Sequence, residues 1–319
     1  MNIVFTICSS NYLSQALSLK GSFLKHNPDK AFYIVLADRK PEFINDKSIV
    51  EVKKIGIKLD VFDTLLAEYN IIEFNTAIKP FAFAYFMRNE NPDNVVYLDP
   101  DILIYQSFNK LIDELNESDF ILTPHLLKPI QNKELYHLML DTINTGTYNL
   151  GFLGLHNSET TKGFIEWWQE HLTYYGHNRI LEGQFYDQKV MNLIPGFYDN
   201  VLVSKSFGRN VAEWNLHERK ISKKSGEFYI NSELLEFFHF SGVKITNYED
   251  NLNQNNLIKL ADSPELKTLI EGYISLNKEN HYERLKSLPC FFNLQPNIHR
   301  ASRKEIYLHK IKKWLHLKR

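Results

Sequence analysis

Cysteine is nearly absent from this chain of 319 residues, which contains only Cys8 and Cys290. The two are far apart and form no CxxC pair, which excludes a disulfide framework and a cysteine-rich zinc site. No apolar run approaches the roughly 18 residues that a membrane-spanning helix needs. A signal peptide is not expected either, because Met1 leads straight into a strand-like run, Ile3 to Cys8, without a basic segment. We therefore expect a cytoplasmic protein, soluble or attached to a membrane surface at most.

The formal net charge of −1 conceals an uneven distribution. Residues 303–319 contain seven basic residues and one Glu, a net charge of +6, so that the other 302 residues carry −7. An acidic body argues against nucleic-acid binding, which needs basic surface to neutralise phosphates. Apolar residues are interleaved with the basic ones in this tail: Ile306, Leu308, Ile311, Trp314, Leu315 and Leu317. Such a segment suits a helix on the inner face of an anionic membrane, and equally a terminal helix that packs its apolar stripe on the body.

Strand-like and helix-like segments alternate along the chain. The predicted strands are Ile3–Cys8, Ala31–Ala37, Val95–Leu98, Phe120–Thr123 and Tyr148–Leu155. The predicted helices are Leu13–Lys25, Phe74–Arg88 (kinked at Pro80 or starting near Lys79), Phe108–Leu115, Lys133–Asp141 and Thr160–Tyr175. This alternation predicts an α/β fold with a Rossmann-like mixed, mostly parallel sheet, whose ligands bind beyond the carboxyl ends of the strands. We expect one such domain over residues 1–260, and a helical C-terminal extension over residues 261–319 that ends in the basic tail.

The main candidate for chemistry is Asp99-Pro100-Asp101, directly after the apolar strand Val95–Leu98. Carboxylates at positions i and i+2 of an extended backbone point to the same side, and Pro100 biases Asp99 towards that conformation. The paired charges would repel each other without a cation, and hard oxygen ligands favour Mg²⁺ or Mn²⁺. The pattern alone decides little, because 15 Asp residues give roughly one such pair by chance. The apolar runs on both sides argue against a pair of solvated turn aspartates.

Further motifs accompany this element in a defined order along residues 1–245. They are Thr6 with Tyr12 around the first strand and helix, Thr76-Ala77-Ile78-Lys79-Pro80-Phe81, Tyr148-Asn149-Leu150-Gly151-Phe152, Phe185-Tyr186-Asp187-Gln188, and Phe237-Phe238-His239-Phe240-Ser241-Gly242-Val243-Lys244. Together they resemble the GT-A glycosyltransferases of the glycogenin and lipooligosaccharide-galactosyltransferase group (glycosyltransferase family 8). The resemblance implies the GT-A fold and a metal-dependent, retaining enzyme that moves a hexose or N-acetylhexosamine from a UDP-sugar. The motifs do not identify the acceptor, but the basic amphipathic tail points towards a glycan or lipid-linked acceptor of bacterial surface polysaccharide biosynthesis.

The resemblance also implies a role for each motif. Mn²⁺ (or Mg²⁺) would be held by Asp99, Asp101 and His239, with Asp99 bridging the metal and the ribose. Asp187 and Gln188 would be catalytic, stabilising positive charge on the donor sugar while the acceptor attacks from the same face. The implied donor-binding residues are Thr6, Tyr12 (stacked on the base), Lys79, Asp99, Asn149, Gly242 and Lys244. The segment Trp214–Arg219 would border the donor site.

Taken singly, several of these residues have ordinary structural explanations. Tyr12 could pack at a helix start, Asn149 could open a strand, and Asp187 could favour a helix N-terminus. Two departures from the family pattern also stand out. Lys244 lies one residue closer to the preceding glycine than is common and lacks a following Pro-Trp. The strand that precedes His125 is not followed by the carboxylate that some members use to read the donor sugar, which leaves the sugar open.

Two other classes of protein compete with the transferase. A sugar-1-phosphate nucleotidyltransferase needs a Gly-rich phosphate loop after the first strand, but that position reads Ser9-Ser10-Asn11-Tyr12. A non-catalytic glycan- or nucleotide-binding protein would retain the fold and lose the metal ligands, yet Asp99, Asp101 and His239 are all present.

Overall fold

The computed structural model describes residues 1–246 and 263–290, so the predicted tail helix, 303–319, lies outside the described residues. The strands in chain order are β1 (Asn2–Cys8), β2 (Ala31–Leu36), β3 (Ile49–Glu51), β4 (Asn94–Leu98), β5 (Ile102–Ile104), β6 (Phe120–Leu122), β7 (Phe152–His156), β8 (Asn178–Arg179), β9 (Gln184–Phe185), β10 (Val201–Val203), β11 (Ile221–Lys224), β12 (Glu227–Ile230), β13 (Glu233–Leu234) and β14 (Phe237–His239). The helices are α1 (Leu13–His26), α2 (Leu59–Glu68), α3 (Ile71–Ala77), α4 (Lys79–Glu90), α5 (Asn109–Asn116), α6 (Tyr136–Thr145), α7 (Glu159–Tyr175), α8 (Ile194–Phe197), α9 (Pro264–Glu279) and α10 (Tyr282–Leu285).

A seven-stranded sheet in the order β10-β6-β7-β4-β1-β2-β3 forms the centre of the molecule. All of its neighbouring strands pair in parallel except β7, which is antiparallel to both β4 and β6. Strands β1 and β4 are almost wholly apolar and buried, as expected for strands covered on both faces. The predicted mixed, mostly parallel α/β sheet is therefore confirmed.

Helices cover both faces of this sheet, and the sheet separates the core into two layers. One face packs against α2, α3, α4 and α7, with Phe83 and Trp168 at its centre, and the other packs against α1 and α5, with Phe23 and Leu111. Of the two alternatives for the helix around Pro80, the start near Lys79 is confirmed. A separate helix, α3, ends at Ala77 and α4 begins at Lys79, because proline lacks an N–H and suits only the first turn. Successive side chains of β1 therefore point into opposite buried layers, which explains why the strand is almost continuously apolar.

A second pairing brings the C-terminal part of the described chain to the carboxyl edge of the sheet. Strand β14 pairs antiparallel with β5, with His239 opposite Ile102. The helix α9 packs on this layer, where the Tyr273 ring stacks on Phe240 with centroids 4.3 Å apart and planes 4° apart. The helical region after residue 263 thus buries side chains next to the predicted metal ligand.

Several elements were not predicted from the sequence. They include β3, α2 and the small antiparallel sheet of β11, β12 and β13. The segment Lys133–Asp141 starts as a 3-10 turn and becomes helical only at Tyr136, and the strand predicted from Tyr148 begins at Phe152. Over the ranges described, no helix combines the length and the apolarity needed to cross a membrane.

Candidate active site

Strand pairing brings the two aspartates and the histidine together. Strand β4 ends at Leu98, and the N–H of Asp99 then donates to the carbonyl oxygen of Gly151 at the start of β7. Two residues later the carbonyl of Asp101 accepts the N–H of Phe240, the residue after His239. The Asp-Pro-Asp turn is therefore held from both sides by backbone hydrogen bonds.

The side chains of Asp99, Asp101 and His239 converge at this edge. One ligand atom of each lies within 4.8 Å of the others, and His239 Nε2 is 3.1 Å from Asp101 Oδ1 and 3.8 Å from Asp99 Oδ2. Burial lowers the pKa of His239, but attraction to Asp101 and Asp99 more than offsets it and leaves the pKa above its ordinary value. Two carboxylates and one imidazole are a donor set that suits Mn²⁺ or Mg²⁺ completed by phosphate oxygens.

Gly151 makes room for the imidazole. A Cβ at this position would lie 2.5 Å from His239 Cε1 and 2.7 Å from Asn149 Oδ1, closer than real Cβ contacts. Only glycine therefore allows the ring to pack against the start of β7. The glycine that the sequence offers beside Asn149 has a direct structural role in the metal site.

A buried lysine lies behind the aspartates. Lys79 Nζ is 2.6 Å from Asp187 Oδ2 and 3.8 Å from Asp99 Oδ1, and it donates to the carbonyl of Leu150 at 2.8 Å. Its ammonium also lies 4.2 Å from the centre of the Tyr97 ring, whose hydroxyl donates to Asp99 Oδ1 at 2.5 Å. Burial raises the pKa of Asp187 above its ordinary value although Lys79 opposes this.

The charges of this cluster do not balance. Among the described residues, Lys79 is the one lysine within ion-pair distance of the carboxylates of Asp99 and Asp187, and none lies that close to Asp101. Two surplus negative charges therefore remain when all three carboxylates are ionised and His239 is neutral. Uncompensated charge is costly in a partly buried site. A divalent cation at the convergence of Asp99, Asp101 and His239 would compensate it.

A chain of amides extends from the metal-site histidine to the predicted catalytic glutamine. Asn149 Nδ2 lies 3.4 Å from Gln188 Oε1, which also accepts the N–H of Leu150 at 3.2 Å. Gln188 Nε2 donates to the carbonyl of Thr145 at 3.1 Å. The side chains of Asn149 and Gln188 are thus buried and oriented by backbone groups of known polarity.

The remaining predicted donor residues occupy different depths. Tyr12 is 46% exposed at the start of α1, whereas Thr6 is fully buried in β1 and its hydroxyl has no hydrogen-bond partner among the described residues. Gly242 has a φ of 76° in the exposed turn that follows β14, and Lys244 is exposed two residues later. Burial and the charge of Asp101 raise the pKa of Tyr12 above its ordinary value.

Three residues around the site, His125, Asn210 and Tyr97, were not singled out for a role from the sequence. His125 accepts from Asn149 Nδ2 at 3.2 Å and packs on Trp214, whose ring centroid lies 5.3 Å from that of His239. Asn210 lies between His239 and Asn149, and Tyr97 binds Asp99. The position of Trp214 agrees with the expectation that residues 214–219 border the site. Asn210 follows no motif, and only its left-handed φ of 52° marks it in the structure.

The fold matches that of solved GT-A glycosyltransferases, two of which superpose on this chain. The galactosyltransferase LgtC, solved with donor and acceptor sugar analogues, superposes with a TM-score of 0.50 at 16% identity, over 88% of this chain and 96% of LgtC. The apo form of the glycosyltransferase GlyE of Streptococcus pneumoniae TIGR4 gives a TM-score of 0.51 at 15% identity, over 89% of this chain and 64% of GlyE. The predicted fold is confirmed by these structures.

One curated protein is similar in sequence. The uncharacterized protein YfnD of Bacillus subtilis (strain 168) is 25% identical over 289 residues, which cover 88% of this chain and 90% of YfnD. No model of a known protein family matches the chain.

Proposed function

We propose that this protein is a metal-dependent glycosyltransferase that moves a hexose or N-acetylhexosamine from a UDP-sugar to a glycan or lipid-linked acceptor. The observation that carries the proposal is the convergence of Asp99, Asp101 and His239 within 4.8 Å at the ligand edge of a GT-A sheet, beside two surplus negative charges. Such a site suits a cation together with a nucleoside diphosphate, whose phosphates supply the remaining ligands.

The residues of the site divide the work of the reaction between them. A divalent cation, Mn²⁺ or Mg²⁺, would supply charge compensation for the departing nucleoside diphosphate. Tyr12, exposed beside this edge, offers an aromatic face to the base, and the turn at Gly242 allows a close approach of the diphosphate to the backbone. Lys244 adds a positive charge after this turn.

Asp187 and Gln188 are the proposed catalytic residues. The carboxylate of Asp187 stabilises positive charge at the donor sugar, and Lys79, 2.6 Å away, favours its ionised form against the effect of burial. Gln188 and Asn149 present a buried amide surface to the sugar. Transfer with retention follows if the acceptor attacks on the face of the leaving phosphate, without a covalent adduct on Asp187.

Hydrolysis of UDP-sugars tests the proposal. We expect slow Mn²⁺-dependent hydrolysis of one or two donors among UDP-Glc, UDP-Gal, UDP-GlcNAc, UDP-GalNAc and GDP-Man, abolished by EDTA. Asp101→Asn should lose it, whereas Asp113→Asn, an exposed carboxylate on α5, should not. Release of pyrophosphate from UTP and a sugar 1-phosphate would instead indicate a nucleotidyltransferase. Donor binding without turnover would indicate a binding protein.

We also propose that the protein works in the cytoplasm on a glycan at the inner face of the membrane. The support is the basic, apolar composition of residues 303–319. A chain that ends at residue 302 should lose binding to vesicles that contain an anionic lipid, and keep its donor hydrolysis. Unchanged vesicle binding would remove this part of the proposal.

A further inference from the structure

Asn210 connects the proposed metal ligand His239 with the amide of Asn149. Its side chain is 1% exposed, and its Oδ1 lies 3.3 Å from His239 Nδ1. Its Nδ2 donates to Asn149 Oδ1 at 3.0 Å and to Thr123 Oγ1 at 2.9 Å. Both the NH₂ group and the oxygen of this amide therefore have hydrogen-bond partners on neighbouring side chains.

The direction of these hydrogen bonds is set by a backbone group. The N–H of Gly151 can only donate, and it donates to Asn149 Oδ1 at 3.1 Å. Because Asn149 must turn its oxygen to Gly151, Asn210 must turn its NH₂ group to that same oxygen. The oxygen of Asn210 then faces the imidazole.

In the metal-free chain both ring nitrogens of His239 face acceptors. An amide oxygen accepts but does not donate, so Asn210 Oδ1 favours a proton on Nδ1, whereas Asp101 Oδ1, 3.1 Å from Nε2, favours one on Nε2. A cation held by Asp99 and Asp101 would need the lone pair of Nε2, and this requires the Nδ1–H form that Asn210 accepts. A metal-binding histidine needs its partner at the other ring nitrogen for the same reason.

The contacts on the other side of Asn149 indicate the same orientation of its amide independently. Its Nδ2 lies 3.2 Å from His125 Nε2 and 3.4 Å from Gln188 Oε1. Gln188 Oε1 also accepts the N–H of Leu150, so it cannot exchange its oxygen for its nitrogen. Donors of Asn149 therefore point to Gln188, and its oxygen is left for Asn210.

The backbone holds Asn210 in place for this role. Its φ of 52° is a conformation that Asn and Gly adopt more readily than other residues, and its carbonyl accepts Asn215 Nδ2 at 3.0 Å. The next residue, Val211, accepts the N–H of His239 at 2.7 Å. The segment 210–211 thus runs beside β14 and holds the Asn210 amide next to the His239 imidazole.

We propose that Asn210 is a positioning residue: it favours the Nδ1–H tautomer of His239, the one that leaves Nε2 free for the cation, and it couples the metal site to Asn149 and Gln188. The consequence for the cation rests on the proposed function. The hydrogen bonds of Asn210 are a property of the chain alone.

Two variants and one control test this inference. Asn210→Gly tolerates the positive φ and removes the amide, and Asn210→Asp retains an oxygen for His239 Nδ1. Asn231→Gly is the matched control, because Asn231 is an exposed residue with a φ of 57°. The first measurement uses the metal-free full chain at a pH where His239 is neutral, with the ¹⁵N shifts of its ring assigned by comparison with His239→Gln.

We expect the parent chain and Asn231→Gly to have a larger fraction of the Nδ1–H tautomer than Asn210→Gly, because only they keep the acceptor at Nδ1. Calorimetric titration with Mn²⁺ should show an affinity about 10- to 100-fold lower for Asn210→Gly. Asn210→Asp should stay closer to the parent. The same Nδ1–H fraction in Asn210→Gly as in the parent, or an unchanged affinity for Mn²⁺ in a parent that binds it, would overturn the inference. A parent chain whose Nδ1–H fraction depends on Asn210 but which binds no Mn²⁺ or Mg²⁺ would instead contradict the proposed function.

Discussion

Lys79 Nζ lies 2.6 Å from Asp187 Oδ2, and each side chain is 3% exposed. The two residues belong to motifs about a hundred positions apart, one at the start of α4 and the other after β9. Both were expected to contact the donor sugar or its diphosphate. In the structure they also form a buried ion pair behind the proposed metal site. A contact that either residue makes with the donor therefore depends on the position of the other.

The first prediction concerns this ion pair. Lys79→Met leaves the Asp187 carboxylate buried without its partner, and we expect the free energy of unfolding to fall by about 3–5 kcal/mol. Lys79→Met combined with Asp187→Asn should regain part of that loss, because no charge is then buried unpaired. Denaturant unfolding of the parent, the two single variants and the double variant would measure this. A double variant no more stable than Lys79→Met would contradict the expectation.

The same pair predicts a pH dependence of stability. Burial raises the pKa of Asp187 in the folded state, so the folded chain binds more protons than the unfolded chain above the ordinary carboxyl range near pH 4. The contribution of this group to stability is therefore present at low pH and lost as pH rises through the raised pKa. In Lys79→Met the loss should continue to a higher pH, since the opposing ammonium is gone. Asp187→Asn should remove this component from unfolding curves recorded between pH 4 and 8.

Gly151 gives a prediction about the metal site. In Gly151→Ala the added methyl would meet His239 Cε1 at 2.5 Å, so the imidazole must move away from Asp101. We expect Mn²⁺ affinity to fall about tenfold or more, as it does when support of a metal-binding histidine is lost. Gly163→Ala on α7 is the control: nothing lies within 4 Å of its Cβ, and it should raise stability by up to about 1 kcal/mol without changing Mn²⁺ binding. Equal Mn²⁺ affinity in both variants would show that the His239 imidazole can accommodate the added methyl group without leaving Asp101.

His125 predicts a second pH effect, with the opposite sign. Burial lowers the pKa of His125 to about 4, whereas an unfolded histidine titrates near 6.5. Between these values the unfolded chain binds more protons, so stability falls as pH falls from about 6.5 to about 4. His125→Gln should make this acid limb shallower, because it retains an acceptor for Asn149 and does not titrate. Urea unfolding at several pH values would test the difference, and an unchanged slope would count against a buried neutral imidazole.

The contact between α9 and β14 predicts that the C-terminal helices stabilise the catalytic body. Tyr273 is 1% exposed and stacks on Phe240, whose N–H binds the carbonyl of Asp101. Tyr273→Ala should lower the free energy of unfolding by about 3–5 kcal/mol and weaken Mn²⁺ binding. Tyr174→Ala, at a position that is 60% exposed, should change stability by less than about 0.5 kcal/mol. Such a result would place the helix after residue 263 energetically with residues 1–246, and the proposed division near residue 260 would need revision.

Local pattern was enough for the architecture, but the proposed metal ligands needed the resemblance to a family. Continuous apolar runs such as Ile3–Cys8 are typical of strands covered on both faces, and their alternation with amphipathic segments predicts an α/β sheet. Asp99 and Asp101 stood out because they follow such a strand directly, but this pattern became informative only together with the other motifs. His239 was assigned as a ligand because its motif resembles that of the family.

The tertiary structure decided the relationships between residues that are far apart in the chain. The amino-acid sequence determined which side chains are available for the proposed cation site and which segments become strands. It could not show that the β5–β14 pairing places His239 beside Asp101, that Gly151 makes room for the ring, or that Asn210 orients it. These depend on strand register and on the left-handed backbone at residue 210, which no local periodicity encodes. The physical reason is that a hydrogen bond needs partners about 3 Å apart with the right polarity, and only the folded chain sets both.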